Sequence, residues 1–367
     1  MKQARATATA LALVALASSC TFGPGLTART PTTSTPAAGA GAEGEGAAEG
    51  EGAIGEGEGE GEGEGEGEGG GAAVGEGEGE GEGEGPPLVD DSPLSTRTAS
   101  EVCSHWRGFV DFGGTEWTPL GDGSDVCDEG ALADGAQAAA VDRVSLYRWL
   151  AGLPPEELDV SLIAQEQACA DVENGIGSLN HFPDASAPCF SNDGAAGAGS
   201  SNLAEGTSTV GSVDLFVDDG QVPSLGHRRW VLNPSGAVTA FGHKGAFTCM
   251  YSFSEQASAD PDFVTWPPAG PVPVDAATGR FSIGSSHHSF PATATVEVSV
   301  DGAAFTPTPF DVLDYGYGTL QTNIGFDIPG IAPFDLAQDG RTITVKWSGL
   351  DDGSGSLTYT TRYVTCD

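Results

Sequence analysis

Apolar positions recur every three to four residues between 131 and 175. Val141, Val144 and Tyr147 fall at helical spacing with Leu150 nearby, and Pro154-Pro155 ends the run. Ala164, Ala168 and Val172 share the face of a second helix, with Cys169 at its edge and Gly175 closing it. A third helical stretch is expected over residues 210–219, and a short one opens at Gly226. Strand-like text follows over 238–242 and 247–253. After Pro261 the period falls to two. Residues 293–300, 342–347 and 357–364 alternate β-branched and polar side chains, bounded by the turns Asp301-Gly302 and Asp351-Asp352-Gly353. With 281–283 and 305–310 these read as short strands at sandwich spacing, Gly316 and Gly318 marking a loop. The chain is therefore expected to be α+β, helices first and strands last.

The N-terminal quarter has neither period. Lys2 and Arg5 precede an apolar run over residues 10–17, then Ser18-Ser19-Cys20. That run is far shorter than the roughly 20 residues of a membrane-crossing helix, so it reads as a secretory signal. Residues 43–85 are Glu-Gly repeats holding 16 Glu and no basic residue. With almost no large apolar side chains to bury, many Gly and Pro, and charge of almost one sign, residues 21–89 are expected to be a disordered tether. About 66 such residues reach roughly 45 Å.

Charge narrows the partners. The 367 residues include 53 Asp or Glu against 14 Lys or Arg, a formal net charge of −39. Residues 86–367 alone hold 37 acidic and 11 basic residues, a net charge of −26. A surface this negative cannot neutralise phosphates, which excludes nucleic acid as a partner, and it has no basic patch for an anionic leaflet. Six cysteines remain after Cys20, and an even number in an exported chain argues for disulfides. They allow 15 pairings. Proximity along the chain favours Cys103–Cys127 and Cys169–Cys189, leaving Cys249–Cys366.

Three segments carry candidate chemistry: Leu179-Asn180-His181; Ser200-Ser201-Asn202-Leu203-Ala204-Glu205-Gly206; and Val213-Asp214-Leu215-Phe216-Val217-Asp218-Asp219, then Gly226-His227-Arg228-Arg229-Trp230-Val231-Leu232-Asn233-Pro234. In order and spacing they resemble the CAP superfamily of cysteine-rich secretory proteins, antigen 5 and pathogenesis-related proteins, in its bacterial SCP-like branch. The resemblance covers roughly 125 residues. It implies an α-β-α sandwich whose cleft carries two His and two acids. The His positions fall on His181 and His227, and one acid on Asp219, with Phe216 where the family has Trp. The second acid is replaced by Ser201, with Asn202 beside it and Glu205 further along. The start of the chain resembles a bacterial lipoprotein signal peptide, which implies lipidation at Cys20 and an outer-membrane or cell-surface location.

The expected organisation is a signal peptide at 1–20, a tether at 21–89 and a loop-rich, disulfide-stapled extension at 90–130. A CAP-like domain at 131–257 and an immunoglobulin-like β-sandwich at 258–367 follow. His227 in the first turn of its helix stays neutral beside the dipole, and His181 and Asp219 complete a set able to hold one divalent metal such as zinc. The same two histidines can instead be hydrogen-bonded cleft residues. Ser201, His227 and Asp219 also form a paper triad, without a nucleophile elbow around the serine. Two functions stay open: a lipid-anchored surface module that binds a protein, glycan or lipid, and a metal-dependent, peptidase-like hydrolase.

Overall fold

The structure is a computed structural model that describes residues 88–89, 93–220, 222–311, 317–351, 353 and 355–367. The signal segment, Cys20 and the Glu-Gly run lie outside the described residues. Those described belong to a single compact unit. They are mixed α and β, with several sheets and few helices.

Helix α1 (Ala99–Gly108) starts at a capping box, Thr98 bonding the Glu101 amide while Glu101 bonds back to Thr98. It lies in the segment expected to be loop. Helices α2 (Asp134–Leu150), α3 (Ile163–Ile176), α5 (Thr209–Asp218) and the short α6 (Gly226–Val231) fall where the period places them. Helix α3 runs past Gly175 and is capped by left-handed Gly177. At Gly175 a Cβ would come within 2.6 Å of Cys189 Sγ, so the glycine permits close packing rather than a stop. Helix α4 (Asn192–Ser200) was not legible in the pattern.

A three-stranded antiparallel sheet lies among these helices, with Phe247–Tyr251 between Ser201–Glu205 and Phe241–Lys244. Its pleat divides the interior. Leu203 and Cys249 pack with Cys169, Ala170 and Ala198 of α3 and α4. Ala204, Phe241 and Met250 join the cluster formed by α2 and α5. The sheet is thus covered by helices on both faces.

Beyond residue 258 every regular element except two 3-10 turns is a strand, among the described residues. A four-stranded antiparallel sheet runs in the order 308–311, 322–327, 280–285, 264–266. A larger one is built on the hairpin Thr342–Leu350 and Gly355–Val364, with Thr295–Val300 and Ala303–Phe305 on one side. Leu88–Val89 and Gly270–Pro273 pair parallel with its last strand. The strand expected over 305–310 is two, interrupted at Thr306-Pro307 and assigned to different sheets. Phe281, Phe326 and Trp347 stack between the sheets, with ring centroids 5.1 and 5.9 Å apart. His287 and His288, adjacent in a loop, are tied by Asp260 and Asp351 at 2.6 and 2.9 Å.

The change of text at 257/258 is not a gap in packing. Tyr147 of α2 meets Trp266 edge-on at 5.5 Å and Trp106 of α1 at 5.9 Å, and all three belong to one continuous core. Arg148, fully buried, donates to the carbonyls of Pro154, Val231, Asn233 and Gly236 and pairs with Glu156 at 3.0 Å. Removing one partner from such a pair costs about 3–5 kcal/mol.

The cysteines pair as Cys103–Cys366, Cys127–Cys189 and Cys169–Cys249, so none of the three pairs expected from chain proximity forms. The reason is side, not distance along the chain. Cys169 faces the sheet and meets Cys249 on its central strand, both without exposure, whereas Cys189 lies against Gly175 further along α3. Cys103 lies on the buried face of α1, beside which the chain returns to end. Peptide mapping of unreduced protein should recover these three cross-links. A Cys103–Cys127 peptide would contradict the packing of α1 against the C-terminus.

Candidate functional site

His227 is the second residue of α6, whose N-cap Leu225 is left-handed, and its ring lies against the end of α5. Its Nδ1 is 2.9 Å from Asp219 Oδ1, and Phe216 packs against the ring with centroids 5.4 Å apart. Asp219 is buried. Its other oxygen accepts the backbone N–H of Arg228 at 3.2 Å. The carboxylate is thus fully engaged within the fold. It orients His227 instead of standing beside it as an independent ligand.

His181 is fixed the same way by a different group. Its Nδ1 donates to the Ala198 carbonyl at 2.8 Å, at the end of α4. Burial lowers its pKa; the hydrogen bond to Ala198 opposes this and the charge of His227 adds to it. The His227 charge thus weighs on His181 across the same region. Each imidazole has Nδ1 engaged by the fold, and among the described residues no hydrogen bond involves either Nε2. The loop bearing His181 is held by two hydrogen bonds: Asn180 N–H donates to Glu173 at 2.7 Å, and Asn180 Oδ1 accepts from Phe182 N–H at 2.9 Å. The Phe182 side chain is 80% exposed beside it.

The three remaining cleft candidates separate. Strand alternation turns Ser201 toward α3, where its hydroxyl donates to Glu166 Oε2. That removes it from His227 and from any triad. Asn202 points the other way, its Nδ2 donating to the His227 carbonyl at 3.0 Å, so it holds the backbone of α6. Glu205 is exposed at the end of the strand, four residues and about 13 Å from Ser201.

Among the described residues no three His, Cys, Asp or Glu side chains converge as a metal-binding group. With Asp219 engaged by His227 and Arg228, the donors offered are two imidazoles, one short of the three protein ligands of a catalytic zinc site. The set His181, His227, Asp219 does not fit that group.

Sequence reasoning missed two buried acids on α3. Glu166 and Glu173 have no exposure, and burial pushes each carboxyl up to about 7, against hydrogen bonds from Ser201 and Gln165 and from the Asn180 N–H. Their spacing with Cys169 and Ala170 (i, i+3, i+4, i+7) puts all four on one helical face, which was the available signal. Arg228 donates mainly to carbonyls, Arg229 lies 5.4 Å from the Tyr317 ring centroid, and Trp230 is buried against Phe253.

No protein-family model, curated protein or solved structure matches this chain. No helix among the described residues is long and apolar enough to cross a membrane. Three disulfides are consistent with an extracytoplasmic protein.

A carboxyl whose folded pKa is raised binds more protons in the native state. Its stabilising effect is present below the unfolded value near 4.5 and is lost as pH rises through about 7. His181 and His243, whose pKa values are lowered, act in the opposite sense near 6.5, so a difference measurement isolates the acid. Glu166→Gln should gain stability relative to wild type between pH 5 and pH 8, by up to about 3 kcal/mol. Parallel melting curves for the two proteins across that range would reject the buried, raised carboxyl.

Proposed function

We propose that this chain is an exported, surface-tethered binding module with a CAP-like α-β-α layer joined to an immunoglobulin-like sandwich. Its ligand, a protein, glycan or lipid, is held at the cleft of His181 and His227. The observation that carries this reading is the matched treatment of the two imidazoles. Each is fixed through Nδ1, by a backbone carbonyl and by a carboxylate, and each keeps Nε2 for a ligand. Two preset nitrogens, each left as an acceptor because its ring donates Nδ1–H to the fold, suit a ligand that offers N–H or O–H groups. The net charge of −26 over residues 86–367 favours one that is neutral or cationic.

The hydrolase reading needs a water activated by a third group, and the three candidates for that role, Asp219, Ser201 and Glu166, are engaged with one another or with His227. Binding without turnover is the better-supported reading. The same geometry could hold a divalent cation through two imidazoles and solvent. Metal content and zinc titration of the purified protein decide this. In the binding reading, wild type, His181→Ala and His227→Ala all carry less than about one-tenth equivalent of zinc. Stoichiometric zinc in wild type, lost in both variants, would restore the metal-dependent alternative.

Lipidation at Cys20 and the tether after it complete the proposal. In this reading the tether, residues 21–89, serves to hold the folded part off the membrane. Cys20→Ala should move the protein from the membrane fraction to the soluble fraction. Retention of the variant on membranes would show that anchoring lies elsewhere.

A further inference from the structure

The connection between α5 and α6 carries both Asp219 and His227, and its backbone takes a shape its residues do not favour. Asp219 has φ +46°, and Leu225, fully buried, has φ +51°. The left-handed region is familiar for Asp, but for a bulky residue such as Leu it is an outlier. It persists only where the surroundings over-determine it.

The surroundings are two guanidinium groups. Arg228 Nε donates to the Val217 carbonyl at 2.6 Å and its Nη2 to the Asp218 carbonyl at 2.7 Å. Arg280 Nη1 continues along the same backbone, 3.5 Å from the Asp219 carbonyl and 3.3 Å from that of Val222. The carbonyls at the end of α5 have no intrahelical acceptor role left, and a cation is favoured there. Arg280 belongs to the four-stranded sheet. It is held by Asp327, its register partner on the next strand, at 3.1 and 3.4 Å. Arg228 returns the contact, its Nη1 reaching the Arg280 carbonyl at 2.8 Å and Ser282 Oγ at 3.0 Å.

We propose that Arg280 is a positioning residue for His227. Through the Arg280–Asp327 pair, the four-stranded sheet fixes the carbonyls of Asp219 and Val222, hence the Asp219 carboxylate, hence the tautomer and tilt of the imidazole. The β-sheet region is therefore part of the cleft and not an appended domain. Its functional weight rests on the cleft proposed above, but the placement it describes does not.

Long-range proton–nitrogen NMR of the histidine rings tests this on the full chain, without metal or ligand. A failed binding function leaves the readout intact. In wild type His227 should show one dominant tautomer, protonated at Nδ1 toward Asp219. In Arg280→Ala that signature should collapse to an average of two tautomers. His243, buried and bonded to Thr248, should stay unchanged. Arg280→Lys should restore the wild-type signature in part, and Asp327→Asn should fall between. If Arg280→Ala does not fold, the latter two decide the question by the same graded response. An unchanged His227 signature in the folded variants, or equal disturbance of His243, overturns the proposal.

Discussion

The buried guanidinium of Arg228 is the joint on which both halves of the molecule close. Desolvation pulls its pKa down to about 10, opposed by Asp219 and Asp218, so it is still charged at neutral pH. A buried charge is tolerated only when its donors are satisfied. Here the acceptors are the Val217 and Asp218 carbonyls on one side and the Arg280 carbonyl and Ser282 hydroxyl on the other. Neither side alone satisfies the group. The end of α5 and the strand Arg280–Ser285 must therefore form together, and α6, which bears His227, is set between them.

The same device recurs. Arg148 gathers the carbonyls of two distant turns, and Lys244 donates to the Asp128 carbonyl and pairs with Asp171 at 3.1 Å. Five of the 11 cations in residues 86–367 are buried: Arg143, Arg148, Arg228, Arg229 and Lys244. Four acids are buried as well, Glu156, Glu166, Glu173 and Asp219, so the surface keeps almost all of the folded part's negative charge.

What the sequence made legible follows from where period and packing agree. Helices α2, α3 and α5 bury apolar faces at 3.6-residue spacing, and the strands after 261 alternate cleanly, so both were readable. Helix α4 was not. Its text, Asn-Asp-Gly-Ala-Ala-Gly-Ala-Gly-Ser, looks like a loop, yet Gly194 and Gly197 lie where a Cβ would come within 2.7 Å of backbone carbonyls of α3. Those glycines serve a close helix–helix contact. Disulfide pairing failed for a related reason, since separation along the chain does not tell which side of a helix a cysteine occupies. Of the candidate site, motif order singled out the two histidines but not the groups that fix them. The role of Asp219 was half legible, and the turning of Ser201 toward Glu166 was not, because a one-residue shift along a strand reverses the face.

These placements limit what the cleft can do. The Asp219 carboxylate, the Ser201 hydroxyl and the Asn202 amide, three of the groups that could have carried chemistry, each already hold a piece of the fold. Using any of them on a substrate would release a backbone segment or expose a buried carboxyl. The two Nε2 atoms carry no such duty. In the binding reading proposed above, a site whose polar groups are mostly committed to architecture leaves two oriented nitrogens for recognition. On that reading its selectivity depends on how firmly those nitrogens are held, and so partly on the sheet that supplies Arg280.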